Sequence, residues 1–104
     1  DNMVKSEFFD LPKRIDEITS FDSVRFSRID TTISYNYSII NKKSSELDLV
    51  KFNNIITDEV TNKVKNDSNM MTMINRFHVN YEFIYYDKEK TILSRLETRK
   101  MKLK

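Results

Sequence analysis

The sequence predicts an α+β domain: a four-stranded antiparallel sheet built from two hairpins, with one long amphipathic helix and a short second helix packed on one face. Three observations lead to this expectation. Apolar and polar residues alternate within residues 21–40 and again within residues 77–100. Between them, in residues 44–66, apolar residues recur every three or four positions. A methionine-rich stretch at residues 68–76 then predicts the second helix.

The first hairpin is expected after an irregular beginning. Residues 1–20 contain Pro12, which cannot continue a helix, and we interpret them as an extended N-terminal arm. Residues 21–104 then form a single α+β domain. The clearest alternation of the first hairpin places four apolar residues on one strand face: Ile33, Tyr35, Tyr37 and Ile39. The turn before this strand is predicted at Asp30 and Thr31, since Asp tolerates a positive φ.

The helices are predicted from their apolar stripe and their caps. The long helix has a buried stripe of Leu49, Phe52, Ile56, Val60 and Val64. Ser44 or Ser45 is a plausible N-cap for it, and Ser68 is one for the second helix. The methionines of the second helix either fill gaps in a small core or line an adaptable groove.

The second hairpin is expected over residues 77–87 and 91–100, with a turn at Asp87 to Lys90. One face of its first strand would join the core through Val79, Tyr81, Phe83 and Tyr85. Ile84 and Tyr86 then fall on the opposite face, with Leu93 beside them on the next strand. We predict that these three form an exposed apolar patch that contacts a partner protein, a second copy of the chain, or the N-terminal arm.

The residues that are missing exclude several kinds of site. The chain contains no glycine, cysteine, alanine or glutamine, a composition typical of an AT-rich genome. Glycine-rich phosphate loops, disulfides, thiolate nucleophiles and cysteine zinc sites are therefore excluded. Each tight turn must use another residue, so non-glycine residues with positive φ are expected at four places: Asp30-Thr31, Asn41-Lys42, Asn66-Asp67 and Asp87-Lys88.

Basic residues concentrate at the C-terminal end, although the formal net charge is only +2. Residues 88–104 hold seven Lys or Arg and two Glu. Arg99, Lys100 and Lys102 are therefore candidate anion contacts, and the alternative is a solvated terminal tail. Single-stranded nucleic acid, bound by these cations and by the sheet aromatics, is our second functional hypothesis. Glu82 on the exposed strand face argues against it.

The sequence predicts no catalytic residues, no cofactor and no metal site. His78 is the sole histidine, and on an extended strand it stands about 13 Å from Glu82, too far for a hydrogen bond. The adjacent carboxylates at Asp58 and Glu59 point in different directions on a helix. We therefore expect a small non-enzymatic binding or adaptor module that acts through protein–protein contacts.

Two features of the sequence bear on the cellular compartment. No apolar run approaches the roughly 18 residues that span a bilayer, so no transmembrane segment is expected. The first seven residues lack the basic and then apolar profile of a signal peptide. Because the sequence begins with Asp1 rather than Met, we expect a trimmed chain, which is compatible with an export signal removed before this point. A periplasmic or extracellular, membrane-anchored location is favoured over a cytoplasmic one.

Three segments together resemble small bacterial exported domains, often lipoproteins, of unknown function. They are Leu11-Pro12-x-x-Ile15-Asp16-x-x-Thr19, Tyr35-x-Tyr37, and Val79-x-Tyr81-x-Phe83-x-Tyr85-Tyr86-Asp87. The resemblance implies an extracytoplasmic, non-enzymatic domain with no catalytic residues to carry over. Those relatives often have a cysteine pair that this chain lacks. The order of elements is also similar to cystatin-like folds, but the Gln-x-Val-x-Gly loop of inhibitory cystatins is missing because the chain has neither Gln nor Gly.

Overall fold

The computed structural model describes residues 13–14, 18–101 and 103. The strands are β1 (Lys13–Arg14), β2 (Thr19–Ser27), β3 (Thr32–Ile39), β4 (Asn80–Tyr86) and β5 (Ile92–Glu97). The helices are α1 (Leu49–Lys65) and α2 (Ser68–Phe77), with single 3-10 turns at Ser44–Glu46 and Thr98–Lys100. The predicted α+β class is confirmed. Most of the predicted arm, residues 1–20, lies outside the described residues, and its last two residues already belong to β2.

The sheet is mixed, with strand order β1-β2-β3-β4-β5. β1–β2, β2–β3 and β4–β5 are antiparallel, whereas the central strands β3 and β4 are parallel. The two hairpins were therefore predicted correctly, and the difference lies in how they join. The connection from β3 to β4 contains both helices, which gives the chain the long crossover that a parallel pair requires. Alternation within a strand is the same for both directions, so the sequence pattern could not distinguish them.

The core lies between the helices and one face of the sheet. Phe83 on β4 is fully buried, and the α1 residues Val60 and Val64 are 3 % and 0 % exposed. Aromatic rings from paired positions of the parallel strands stack, with 5.3 Å between the ring centroids of Tyr35 and Phe83. The next pair, Tyr37 and Tyr85, stacks at 4.7 Å. The predicted core faces of β3, β4 and α1 therefore meet as expected.

Aspartates, and not the predicted serines, cap both helices. The Asp48 carboxylate accepts a hydrogen bond from the backbone N–H of Lys51 at 3.1 Å, and α1 therefore starts at Leu49. Asp67 accepts one from the N–H of Met70 at 3.0 Å. Ser44 and Ser45 form a separate 3-10 turn, and Ser68 is the first residue of α2. A carboxylate at the N-cap also interacts favourably with the positive end of the helix dipole.

The second strand pair begins later than the alternation suggests. His78 ends α2 in the left-handed conformation (φ 55°), and the N–H of Val79 returns to the carbonyl oxygen of Met73 at 3.3 Å. Phe77 consequently belongs to the helix and stays 60 % exposed. This helix ending is usually made by glycine, and here histidine replaces it.

The other reversals without glycine follow the prediction in part. Within the described residues, positive φ values fall on Thr31 (51°) and Lys90 (68°), besides His78. Thr31 belongs to the predicted pair Asp30-Thr31, whereas Lys90 lies in the predicted turn but two residues beyond the pair Asp87-Lys88. The prediction for Asn41 and Lys42 is wrong, since neither has a positive φ. Asn66, at the junction of the helices, has φ −91°. That junction therefore needs no left-handed residue.

Candidate binding surfaces

The predicted contact residues Ile84, Tyr86 and Leu93 do not form one exposed apolar patch. Leu93 is 7 % exposed and belongs to the core on the helix side. Ile84 lies on the opposite sheet face but is only 8 % exposed. Tyr86 remains partly accessible, and its hydroxyl lies 3.4 Å from the side-chain oxygen of Asn36. The prediction that these side chains are exposed is therefore wrong for Ile84 and Leu93.

A β-bulge explains this difference. Tyr85 pairs with Ser94, but the next residue, Tyr86, pairs with Ile92, so Leu93 is an extra residue in β5. The extra residue shifts the alternation of β5 by one position. Leu93 turns inward, and Ile92 takes its place opposite Tyr86 with 54 % of its surface exposed. Regular alternation cannot reveal such a shift from the sequence.

The first turns of α1 lie beside the beginning of β5. The side-chain amide of Asn53 donates to the carbonyl oxygen of Leu49 at 2.8 Å and to that of Leu93 at 3.3 Å. Val50 is one turn from Asn53 on the same side of the helix, and it is 74 % exposed. We call Leu49 and Val50 on α1, together with Tyr86 and Ile92 on the sheet, the edge patch; its two halves lie on either side of the edge strand β5. The sequence did not predict Val50 as a contact residue; the available signal was an apolar residue of the helix that lies outside the predicted buried stripe.

A buried carboxylate holds the loops around the edge patch. Asp87 is 2 % exposed. It accepts hydrogen bonds from the backbone N–H groups of Ser44 at 2.9 Å, Glu89 at 2.8 Å and Thr91 at 2.8 Å. Burial raises the pKa of Asp87, but these hydrogen bonds outweigh it and hold the pKa below its ordinary value of 3.8. One charged side chain thus fixes the segment before α1 to the turn before β5.

The open face of the sheet is polar and internally paired. Glu82 is 5 % exposed, and it accepts hydrogen bonds from the Ser34 hydroxyl at 2.9 Å and from Nε of Arg95 at 2.7 Å. Its carboxylate raises the pKa of the Arg95 guanidinium through that hydrogen bond and its charge. Beside them, the Ser38 hydroxyl donates to Asp22 and lies 3.4 Å from the ammonium of Lys90. These groups are engaged with each other, which suits a structural role.

The predicted anion-contact residues Arg99 and Lys100 bind different groups of the fold. Nη2 of Arg99 donates to the carbonyl oxygen of Asp30 at 3.1 Å, which brings this residue to the β2–β3 turn. Lys100 forms an ion pair with Glu97 at 3.1 Å, and its hydrogen bond lowers the pKa of Glu97. Lys102 lies outside the described residues. The sequence did not predict that Arg99 would adjoin the first hairpin.

The structure also places the histidine and the sheet aromatics that the sequence analysis considered as functional residues. His78 is exposed at the end of α2, away from the strand on which it was predicted. The rings of Tyr81, Phe83 and Tyr85 are at most 7 % exposed, so they offer no platform for stacking bases. In the described part of the chain, no cluster of three His, Cys, Asp or Glu residues is arranged to hold a metal ion. No helix among the same residues is long and apolar enough to cross a membrane.

A family model for a domain of unknown function, DUF8479, matches residues 5–94 of the sequence. The chain belongs to the DUF8479 family. The match covers both hairpins as far as Ser94 and both helices, and so includes the bulge in β5 and the edge patch of the DUF8479 domain.

The fold of the DUF8479 domain is similar to the crystal structure of a candidate secreted protein from Pseudomonas aeruginosa. The TM-score is 0.70 at 9 % sequence identity, and the likeness covers 92 % of this chain and 81 % of the other. At this identity the likeness shows the fold alone. No curated protein sequence matches the chain. The resemblances to lipoproteins and to cystatins are not addressed by these comparisons and stay predictions.

Proposed function

We propose that the DUF8479 domain is a non-enzymatic adaptor module of an exported protein and that it binds another protein through the edge patch. One observation carries this proposal: Val50 and Ile92, 74 % and 54 % exposed, flank the point at which α1 is hydrogen-bonded to β5. Apolar residues that cluster on a surface mark sites of protein contact more often than single exposed ones do. This surface also retains Tyr86 from the predicted contact site.

The setting of the edge patch supports a binding role. Its residues lie on α1 and on the neighbouring strands β4 and β5, and the Asp87 hydrogen bonds fix the segments that precede α1 and β5. A rigid apolar surface loses little conformational entropy on binding. Covering the side chains of Val50 and Ile92 contributes roughly 1–2 kcal/mol each to association. These two residues are therefore candidates for the centre of an interface.

Several observations support an adaptor over an enzyme or a nucleic-acid-binding protein. The buried carboxylates Glu82 and Asp87 are occupied by neighbouring donors of the fold. His78 ends a helix, and the aromatic rings lie under the helices. The candidate secreted protein with a similar fold supports export of this domain. We include in this proposal the membrane-anchored, periplasmic or extracellular location that the sequence analysis favours.

Comparative capture from the native cells tests this function. The bait is the purified domain, and the variants are Ile92→Asp and Ile55→Asp. Ile55 is a matched control because it is 47 % exposed and lies on the far side of α1 from Asn53. We expect a protein that the wild type and Ile55→Asp retain and that Ile92→Asp loses. Equal capture by all three baits would refute the proposal. Mass spectrometry of the retained band distinguishes a second copy from another protein.

A further inference from the structure

A second apolar surface lies at the opposite end of the sheet, where β3 and β4 begin. Three segments meet there: the β2–β3 turn, the last turn of α2, and the residues that follow β5. The N–H of Asn80 donates to the carbonyl oxygen of Thr31 at 3.0 Å, and Arg99 joins Asp30 at 3.1 Å. Phe77 is three residues before Asn80 and therefore within about 10 Å of it. We call this the hairpin end.

Three large apolar side chains at the hairpin end are exposed. Ile29, in the middle of the turn, is 100 % exposed, and Phe26 and Phe77 are each 60 % exposed. They come from two elements that are far apart in the sequence, the first hairpin and α2. The edge patch lies at the other end of β4, about 20 Å away. The two surfaces are therefore separate, and a ligand at one leaves the other accessible.

Exposed arginines adjoin these apolar residues in the sequence. Arg28 precedes Ile29 in the turn, Arg76 precedes Phe77 in α2, and all of these side chains are exposed. Arg99 is exposed as well, and its hydrogen bond to the carbonyl oxygen of Asp30 holds it at the turn. The Asp30 carboxylate is engaged by the side chains of Thr32 and Ser27, which lower its pKa. The hairpin end therefore combines exposed guanidinium groups with exposed apolar side chains.

We propose that the hairpin end docks on an anionic phospholipid surface, with Ile29 entering the acyl boundary and Arg28 and Arg76 contacting headgroup phosphates. A bilayer places its apolar region beneath its charged layer, so a complementary surface has its apolar residues at the apex and its cations further back. Ile29 is fully exposed in the turn, and exposed arginines adjoin Ile29 and Phe77 in the sequence, so this end of the domain offers both components. Guanidinium groups also bind phosphate oxygens in pairs of hydrogen bonds. This proposal goes beyond the protein contact at the edge patch and does not depend on it.

The observations favour a lipid surface over an acidic protein. A specific protein interface covers about 800 Å² on each partner with close shape complementarity. A fully exposed isoleucine on a projecting turn would need a pocket in the partner, whereas a fluid bilayer adapts to any apex. Nucleic acid would pair with the arginines but would leave Ile29 and the two phenylalanines in water.

The absence of tryptophan allows a direct test with the whole chain. Ile29→Trp places a single indole at the apex, and Val50→Trp places one in the edge patch as the control. The probe is a vesicle of phosphatidylglycerol and phosphatidylcholine in equal parts, compared with pure phosphatidylcholine, in 0.1 M NaCl. We expect a blue shift of the emission for Trp at position 29 with the anionic vesicles and none for Trp at position 50.

Charge variants complete the test. Each basic residue at an anionic surface contributes about a fivefold factor, so Arg28→Gln with Arg76→Gln should lower vesicle affinity about 25-fold. Lys42→Gln with Lys88→Gln removes the same charge from exposed positions at the other end and should change affinity less than fivefold. Similar losses for both pairs would overturn the proposal, since attraction would then follow net charge alone. The absence of binding to the anionic vesicles would also overturn it.

Discussion

Because of the β5 bulge, the neighbouring residues Ile92 and Leu93 differ in burial. Alanine substitutions at the two positions should therefore lower the free energy of unfolding by different amounts. Leu93 is 7 % exposed in the core, whereas Ile92 is 54 % exposed at the sheet edge. A regular alternation, as the sequence pattern implies, would leave Leu93 outside. Leu93→Ala and Ile92→Ala therefore measure the register of the strand directly.

The expected difference follows from the burial of the two side chains. Truncation of a buried leucine to alanine costs 2–5 kcal/mol, and we take about 3 kcal/mol for Leu93. Ile92→Ala removes three carbons, worth about 0.8 kcal/mol each when fully buried. Since less than half of Ile92 is covered, its loss should cost about 1 kcal/mol. The free energy of unfolding should thus fall about three times as much for Leu93→Ala.

Urea unfolding followed by far-ultraviolet circular dichroism measures this difference. With a slope of about 1.5 kcal/mol per molar, the midpoint should fall by about 2 M for Leu93→Ala and about 0.7 M for Ile92→Ala. Equal slopes for the three proteins are the control for a common two-state transition. A larger loss for Ile92→Ala, or equal losses, would refute the bulged register.

Three further substitutions test features that depend on single side chains. His78→Gly should raise the free energy of unfolding by about 1 kcal/mol in urea titrations, because glycine adopts the left-handed φ of 55° without the steric cost of a Cβ; a decrease would contradict this helix ending. Asp87→Asn should lower the melting temperature at pH 7. Because the folded-state pKa of Asp87 lies below 3.8, the difference from wild type should be constant above about pH 5 and shrink as the pH falls below 4; an unchanged difference at pH 2 would argue against a charged hydrogen-bond acceptor. Asp48→Ala should cost about 1 kcal/mol in urea, and Ser45→Ala should cost much less; equal costs would refute the assignment of Asp48 as the cap.

The parts of the fold that follow from periodicity were predictable. Alternation identified the core faces of β3 and β4, since Tyr37, Ile39, Phe83 and Tyr85 are buried as expected. The three-to-four spacing identified the α1 stripe that includes Val60 and Val64. These patterns come from burial on one side of an element, which leaves a direct trace in the sequence.

The parallel pairing of β3 and β4 and the bulge at Leu93 leave no such trace. Strand direction depends on the path of the helical crossover, and the bulge depends on local pairing with Tyr85 and Tyr86. The end of α2 was missed for a related reason. Phe77 and His78 fit the alternating pattern of β4, so the sequence predicted that the strand begins at Phe77. In the structure the helix continues through Phe77 and ends at His78, where the N–H of Val79 bonds to the carbonyl oxygen of Met73.

The candidate surfaces combine residues that no single pattern connects. The edge patch joins Val50 to Ile92 through Asn53, and the hairpin end joins Ile29 to Phe77 and Arg99. The composition did indicate that polar side chains, and not disulfides, must connect the loops. In a chain without glycine and cysteine, side chains such as Asp87 provide the connections between loops.

The most direct test of the adaptor function is photo-crosslinking from the edge patch in the native cells. A photoreactive phenylalanine derivative is placed at position 92 in one variant and at position 55 in another. Ile92 and Ile55 are similarly exposed, 54 % and 47 %, but only Ile92 belongs to the edge patch. We expect a discrete protein adduct from position 92 and none of that mass from position 55. Adducts of equal yield from both positions, or no adduct from position 92, would contradict the proposed contact.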